Sequence, residues 1–285
     1  MDAKTKLCCL IGNPVEHSLS PMIHNMLSER MNINMIYTAF RVESGMLEDA
    51  VKGAWALGIN GLNVTVPHKC AVIPYLADID PLAAKIGAVN TLVRSESGFK
   101  GYNTDITGLG RQLDEENVTI NDNSVIILGA GGASRAITFL CAQKGARKIW
   151  LLNRSLSKAE TLAREVNGYF GEVVTALPIE NFSDLPKGKY PVIQTTSVGL
   201  FPDTGCAPIE NDDFYEYVSD GVDIIFNPSE TEFMKKCRKH GARAHNGLKM
   251  LLYQGIAAYE LWNNVHVPQE TAREILDMME REIGI

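Results

Sequence analysis

The stretch VIILGAGGASRAITFLCAQKGARKIWLLNRS, residues 125–155, decides the fold. Val125–Leu128 is an apolar run of strand length. Gly129, Gly131 and Gly132 follow it directly, then a helical stretch to about Gly145, then a second apolar run, KIWLLN. A strand, a glycine turn, a helix and a strand in that order make a βαβ unit and call for a parallel sheet. Small residues at that turn, GAGGAS with Ala130 and Ala133 between the glycines, let backbone approach a pyrophosphate at a helix N-terminus. Ser134 fills the third fingerprint position, where a small side chain still allows close helix–strand packing.

The turn after the second strand selects the nucleotide. An NAD site carries Asp or Glu there, accepting from the ribose 2′-hydroxyl. This chain has Asn153, Arg154, Ser155 and Lys158 instead. No carboxylate repels a 2′-phosphate, and a guanidinium, a hydroxyl and an ammonium are available to bind one. A basic turn is also ordinary on a surface, but at this offset from the glycine loop it predicts NADP(H) over NAD(H).

Working outward, further strands are predicted at YPVIQTT and GVDIIFNP, and helices at GLKMLLYQGIAAYELW and QETAREILDMMERE after Pro268. Towards the N-terminus a second alternating region precedes residue 105. KLCCLIG, NMIYTAFRV, NGLNVTV and AVNTLVRS read as strands. SPMIHNMLSERM reads as a helix with Ser20 as its cap and Pro21 at its first position, and GMLEDAVKGAWALG as another. The fold class is therefore α/β, with a boundary near residue 105 between two domains.

Composition narrows the function. Of 285 residues, 45% are hydrophobic and 21% charged, a globular balance, and the net charge of -7 argues against a general nucleic-acid or anionic-membrane binder. No apolar run approaches the roughly 18 residues of a membrane span, and the charged N-terminus does not read as a signal peptide. The six cysteines form no C-x-x-C pair and have no zinc-finger spacing with histidine. No metal is expected, and reduced thiols in the cytoplasm are.

The first half concentrates polar side chains where apolar ones would be expected. GLNVTVPHK, residues 61–69, begins as a buried strand yet alternates towards Asn63 and Thr65, ends at Pro67 and places Lys69 two residues on. Ser18, Ser20, Asn90, Thr91, Asn103, Thr104 and Asp105 fall near other strand ends. Ligands of parallel α/β sheets bind beyond the carboxyl ends of strands, and hydroxyls and amides suit a polyhydroxylated small molecule. Turn and capping chemistry explains any one of these residues equally well. Lys69 and Asp105 are the ionisable pair of the set. Hydride addition to a ketone creates an alkoxide, which needs a nearby proton donor, and a lysine held by a carboxylate supplies one.

Together, SLSP (18–21), NVTVPHK (63–69), GAVNT (87–91), GYNTD (101–105), GAGGAS (129–134), NRSLSKA (153–159), TTSVGL (195–200), DIIFNP (223–228) and NGLKMLLYQG (246–255) closely resemble the shikimate dehydrogenase family over nearly the whole chain. The resemblance implies an N-terminal substrate domain with a mostly parallel sheet, a Rossmann-type NADP-binding domain, and C-terminal helices returning to the first. The expected division is 1–105 with 247–285, and 106–246. The implied reaction is NADPH-dependent reduction of 3-dehydroshikimate to shikimate, a step of aromatic amino-acid biosynthesis, by a monomer or homodimer. By motif, Lys69 and Asp105 are the catalytic pair. Ser18 and Ser20 meet the substrate carboxylate, and Asn63, Thr65, Asn90, Asp105 and Gln254 meet its ring hydroxyls. Thr195, Ser197 and Gly247 flank the nicotinamide. Three positions depart from the family pattern: Phe226 stands where tyrosine is usual, Gln194 replaces Asn, and Lys249, expected near the cofactor, replaces Gly. Phe226 keeps a quinate/shikimate dehydrogenase open as an alternative, with a non-catalytic NADP-sensing protein more remote.

Overall fold

The computed structural model describes residues 1–284. The chain divides into two compact units, Met1–Gly108 with Leu251–Arg281, and Leu109–Met250 with the residues after Arg281. The first holds β1 (Lys6–Gly12), α1 (Ser20–Arg30), β2 (Met35–Arg41), α2 (Leu47–Ala56), β3 (Gly61–Val64), β4 (Asp78–Ile79), α3 (Pro81–Ile86), β5 (Thr91–Ser95) and β6 (Gly98–Tyr102). Helix α4 (Asp105–Glu115) starts in this unit and carries the chain out of it.

The first sheet has the order β2-β1-β3-β5-β6-β4. Strands β2, β1 and β3 are parallel, as are β4 and β6, whereas β5 runs antiparallel to both β3 and β6. The β5–β6 hairpin adds a strand to those expected, with Gly98 and Gly101 both inside β6. Gly101 is inside a strand because its neighbours leave no room for a side chain: a Cβ there would lie 2.5 Å from Leu76. The core of the unit gathers Ile11, Leu62, Val64, Leu92 and Phe99. The short helix α3 shows why the chain turns where it does. Asp80 caps it, accepting from the N–H groups of Leu82 (2.9 Å) and Ala83 (3.3 Å), Pro81 opens it, and Gly87 closes it at φ +70°.

Two local expectations are corrected. Helix α1 is capped by Leu19, with Ser20 already inside it, because Ser18 Oγ accepts the Ser20 N–H at 3.2 Å and serves the first turn from one step earlier. Strand β3 ends at Val64, short of Pro67, and is buried throughout, with Asn63 among packed polar groups.

The second unit contains β7 (Ser124–Leu128), α5 (Gly132–Gln143), β8 (Lys148–Asn153), α6 (Leu156–Phe170), β9 (Val174–Pro178), β10 (Tyr190–Gln194), β11 (Val218–Asp223), α7 (Glu232–Lys239) and β12 (Arg243–His245). Its sheet has the order β12-β11-β10-β7-β8-β9, and every pairing is parallel. Taken from β9, this is the doubly wound order of a dinucleotide-binding fold, with its switch point between β7 and β10. Strands β7 and β10 are buried along almost their whole length, as central strands of a parallel sheet are.

The chain returns through α8 (Leu248–Asn263) to α9 (Gln269–Ile283). From residue 251 these helices pack on the first unit. Trp262 Nε1 donates to the Leu92 carbonyl at 2.9 Å, and a Cβ on Gly61 would fall 2.1 Å from that nitrogen. Only glycine lets β3 lie so close to the indole. Among the described residues no helix is long and apolar enough to cross a membrane.

Candidate active site and nucleotide loop

In the first unit, the chain reverses at β5 and brings residues distant in sequence to one sheet edge. The ends of β1, β3 and β6 point the same way, and antiparallel β5 starts there, so Asn63 pairs across the sheet with Thr91. Lys69, Asn90 and Asp105 meet at that edge. Lys69 Nζ lies 2.6 Å from Asp105 Oδ2, with the two side chains 16% and 5% exposed. The Lys69 backbone is pinned twice. Its carbonyl accepts from Val89 N–H at 2.8 Å, and the preceding His68 is buried with Nε2 donating to the Val42 carbonyl at 2.7 Å.

Asp105 opens α4, where its charge is favoured by the helix dipole. Asn90 Nδ2 donates to Asp105 Oδ1 at 2.8 Å and to Thr104 Oγ1 at 3.0 Å, while Asn90 Oδ1 accepts from the Thr104 N–H at 2.7 Å. Asn103 Oδ1 accepts from the Asp105 N–H at 3.1 Å. One carboxylate oxygen thus faces the ammonium and the other an amide, so the pair is held rigidly in place. Gln254 of α8 reaches the same group, its Oε1 3.5 Å from Asn90 Nδ2. Asn63 donates to the Asn90 carbonyl (3.2 Å) and to Thr91 Oγ1 (3.1 Å). Thr65 lies against Gly12 and continues the backbone pairing to the Ile11 carbonyl at 3.0 Å. Ser20 is buried and Ser18 half-buried in the turn before α1.

The second unit places the glycine turn at its switch point. Gly129 has φ +110°, and a Cβ there would lie 2.6 Å from Thr195 Oγ1, so the turn after β7 touches the turn after β10 and requires glycine. Ser134 Oγ donates to the Gly129 carbonyl at 2.7 Å, and Thr195 Oγ1 to the Leu128 carbonyl at 2.7 Å. Gly131 precedes α5 in an extended conformation with nothing within 4 Å of its Cβ position, while Ala130, Gly132 and Ala133 are half-buried or exposed beside it. That leaves the α5 amides an open approach for an anion. After β8, Asn153 Nδ2 donates to the Ser155 carbonyl at 2.9 Å, and Ser155 precedes α6. Arg154 and Lys158 are exposed and, among the described residues, take part in no ion pair. Two uncommitted cations, no carboxylate at the end of β8 and an open helix N-terminus together fit a nucleotide carrying a 2′-phosphate.

Other predicted residues have plainer surroundings. Ser197 is exposed. Gly247 is buried where a Cβ would lie 2.1 Å from the Ile224 carbonyl oxygen, so backbone packing already demands glycine there. Gln194 organises its own loop, with Nε2 donating to the carbonyls of Thr196 (3.1 Å) and Val198 (3.2 Å). Lys249 is not a free charge for a cofactor: its Nζ lies 2.5 Å from Glu116 Oε1. Phe226 is half-buried in the loop after β11. That loop is tied at its base by Asp223, a fully buried carboxyl that accepts from Ile225 N–H (3.0 Å) and Thr231 Oγ1 (2.7 Å). Burial pushes its pKa up to about 7. Sequence reading missed Asp223 as a site-shaping residue, and missed Tyr37, whose hydroxyl donates to Asn63 Oδ1 at 2.7 Å. The available signal was a tyrosine inside an apolar strand, since a buried phenol needs a partner. Among the described residues no three His, Cys, Asp or Glu side chains converge as metal ligands.

Comparison with known proteins gives a consistent result. A family model described as the shikimate dehydrogenase substrate binding domain matches residues 10–92. One described as shikimate / quinate 5-dehydrogenase matches 112–187, and one described as the shikimate 5'-dehydrogenase C-terminal domain matches 247–276. The shikimate dehydrogenase (NADP(+)) of Caldanaerobacter subterraneus subsp. tengcongensis is 43% identical over 265 residues, covering 92% of this chain and 93% of that one. The crystal structure of the Listeria monocytogenes shikimate 5-dehydrogenase with shikimate and NAD is 31% identical, with TM-score 0.86 over 97% of this chain and 98% of that one. The Thermus thermophilus enzyme with NADP(H) and shikimate is 28% identical, with TM-score 0.84 over 96% and 99%.

Proposed function

The chain belongs to the shikimate dehydrogenase family, and from that premise we propose that it catalyses the reversible NADPH-dependent reduction of 3-dehydroshikimate to shikimate. It is an NADP-dependent oxidoreductase in this reading, with substrate bound by the unit built around residues 1–105 and 247–285 and nucleotide by 106–246. The observation that carries the chemistry is the Lys69–Asp105 ion pair, half-buried ammonium and buried carboxylate 2.6 Å apart among converging amides and hydroxyls. When bound, NADPH supplies the hydride. Lys69 Nζ then gives a proton to the new alkoxide, and takes it back in the oxidative direction. Asp105 holds the ammonium in place. Ser18 and Ser20 receive the carboxylate of the substrate, and Asn63, Thr65, Asn90 and Gln254 its hydroxyls. Buried thiols at Cys8, Cys9, Cys141 and Cys237, acting as small apolar side chains, fit a reducing cytoplasm.

The nucleotide is held by the α5 N-terminus with Gly129, Ala130, Gly131, Gly132 and Ala133, and its 2′-phosphate by Arg154, Ser155 and Lys158 beside Asn153. Thr195, Ser197 and Gly247 adjoin the nicotinamide. Arg154→Ala should raise KM for NADP by about tenfold or more, one charge-assisted pair being worth roughly 1.5–3 kcal/mol, and leave KM for NAD nearly unchanged. An equal loss with both nucleotides would remove the 2′-phosphate assignment.

Phe226 favours one competing reading, a quinate/shikimate dehydrogenase, because it offers no hydroxyl where the family carries one. Steady-state rates with shikimate and quinate, each with NADP and with NAD, decide it. Preference for shikimate with NADP is expected. A kcat/KM for quinate equal to that for shikimate would establish the broader enzyme, and no turnover with either would leave a nucleotide-binding protein.

A further inference from the structure

The Asn63 side chain has nearly exhausted its hydrogen-bonding capacity inside the protein. An amide offers two N–H donors and an oxygen with two lone pairs. Both donors are taken, by the Asn90 carbonyl at 3.2 Å and by Thr91 Oγ1 at 3.1 Å. A backbone carbonyl only accepts, so the end facing Asn90 must be the nitrogen. Oδ1 therefore faces Tyr37, whose hydroxyl donates to it at 2.7 Å. One lone pair on Oδ1 is all that remains for a ligand.

Tyr37 is itself clamped on every side. Asn25 grips its backbone reciprocally, accepting from the Tyr37 N–H at 2.8 Å and donating to its carbonyl at 2.9 Å. The His24 ring stacks on the phenol with centroids 4.2 Å apart and 24° between planes, and the Trp262 indole lies 5.9 Å away. Among the described residues, neither His24 nitrogen makes a hydrogen bond of good geometry, and burial, only partly opposed by the neighbouring Asn63 side chain, pushes the ring's pKa down to about 3, so it acts as a neutral aromatic plate. Burial also holds the Tyr37 phenol well above its usual pKa, which keeps it a donor.

We propose that Tyr37 is a positioning residue for the reaction, locking the Asn63 amide so that it meets the substrate only as an acceptor for a ring hydroxyl. Without the phenol oxygen, Oδ1 loses its one fixed partner and the amide is held only from its nitrogen end, by two bonds of 3.2 and 3.1 Å. The inference rests on the reading of Asn63 as a substrate contact.

The test is Tyr37→Phe, which keeps the ring and its stack and deletes one oxygen. KM for shikimate should rise about tenfold, while KM for NADP and kcat at saturation stay within about twofold. Asn63→Ala should raise KM for shikimate at least as much, and adding Tyr37→Phe to it should raise KM far less than Tyr37→Phe does alone, since the phenol acts chiefly through the amide, with Ser20 its other polar neighbour. A merely structural tyrosine would add its penalty in both backgrounds and spread it over both substrates, which would overturn the proposal. An unchanged KM in Tyr37→Phe beside a raised one in Asn63→Ala would overturn it alone. An unchanged KM in Asn63→Ala would remove the substrate contact on which it rests.

Discussion

Turnover in a Lys69→Ala variant is expected to fall by about three orders of magnitude, the middle of the range for losing a positioned general acid. The reason is geometric. The Nζ atom is the one proton source fixed by both its partner and its backbone: Asp105 Oδ2 lies 2.6 Å away, and the Lys69 carbonyl is tied to Val89. The surrounding groups are neutral amides and hydroxyls, far weaker acids than an ammonium, so no neighbour takes over when Lys69 is removed. Substrate affinity should change far less, because Asn63, Asn90 and Gln254 keep their own partners. Asp105→Asn should lower turnover less severely, since it leaves the ammonium present and only loosens its hold. The measurement is kcat in the oxidative direction with saturating shikimate and NADP, on protein whose circular dichroism matches the parent. Near-parental turnover in Lys69→Ala would end the acid/base assignment.

The second large effect concerns stability and acid–base balance in the nucleotide unit. Asp223 keeps its proton up to about pH 7 in the folded chain, whereas an unfolded aspartate releases it near pH 3.9. Between those values the folded state binds more protons than the unfolded one. Its contribution to stability is therefore complete below the unfolded value and is lost as pH rises towards 7. At about 1.4 kcal/mol per pH unit over roughly three units, the loss amounts to about 4 kcal/mol. Asp223→Asn retains an oxygen for the Ile225 N–H and turns an N–H towards Thr231 Oγ1, without the ionisation. Relative to the parent, it should gain stability steadily from pH 4 to pH 7, read from urea midpoints at each pH. Parallel midpoint curves for the two proteins would show that the carboxyl ionises normally and that its burial is otherwise compensated.

What the sequence disclosed depended on how local the cause was. The glycine turn at 129–132, the basic turn at 153–158 and the doubly wound unit around them were legible because a strand, a turn and a helix declare themselves within some thirty residues. Lys69 and Asp105 stood out as the ionisable pair of the polar set, and the resemblance gave that pair a reaction. The two are 36 positions apart, and their meeting depends on the β5–β6 hairpin, whose second strand was not among those expected. Asn90 illustrates the same limit. Expected within a strand of a mostly parallel sheet, it lies just before an antiparallel one, reaching the same edge from the opposite direction. The ion pair of Lys249 was not legible, because its partner Glu116 lies 133 residues earlier in the chain. Tyr37 escaped because nothing nearby in sequence identifies the amide it holds.

The first unit is discontinuous: residues 251–281 complete what residues 1–108 begin, and the second unit lies between them as a single run. On a ribosome, the nucleotide unit can close its sheet as soon as β12 has emerged. The earlier segment must wait for Trp262 to meet Gly61 and Leu92, and for Gln254 to come within reach of Asn90. Through most of synthesis, β1 to β6 therefore stand without the helix that covers them, at the stage when exposed strands are most prone to aggregate. The portion of the chain translated first is the last to become a finished structure.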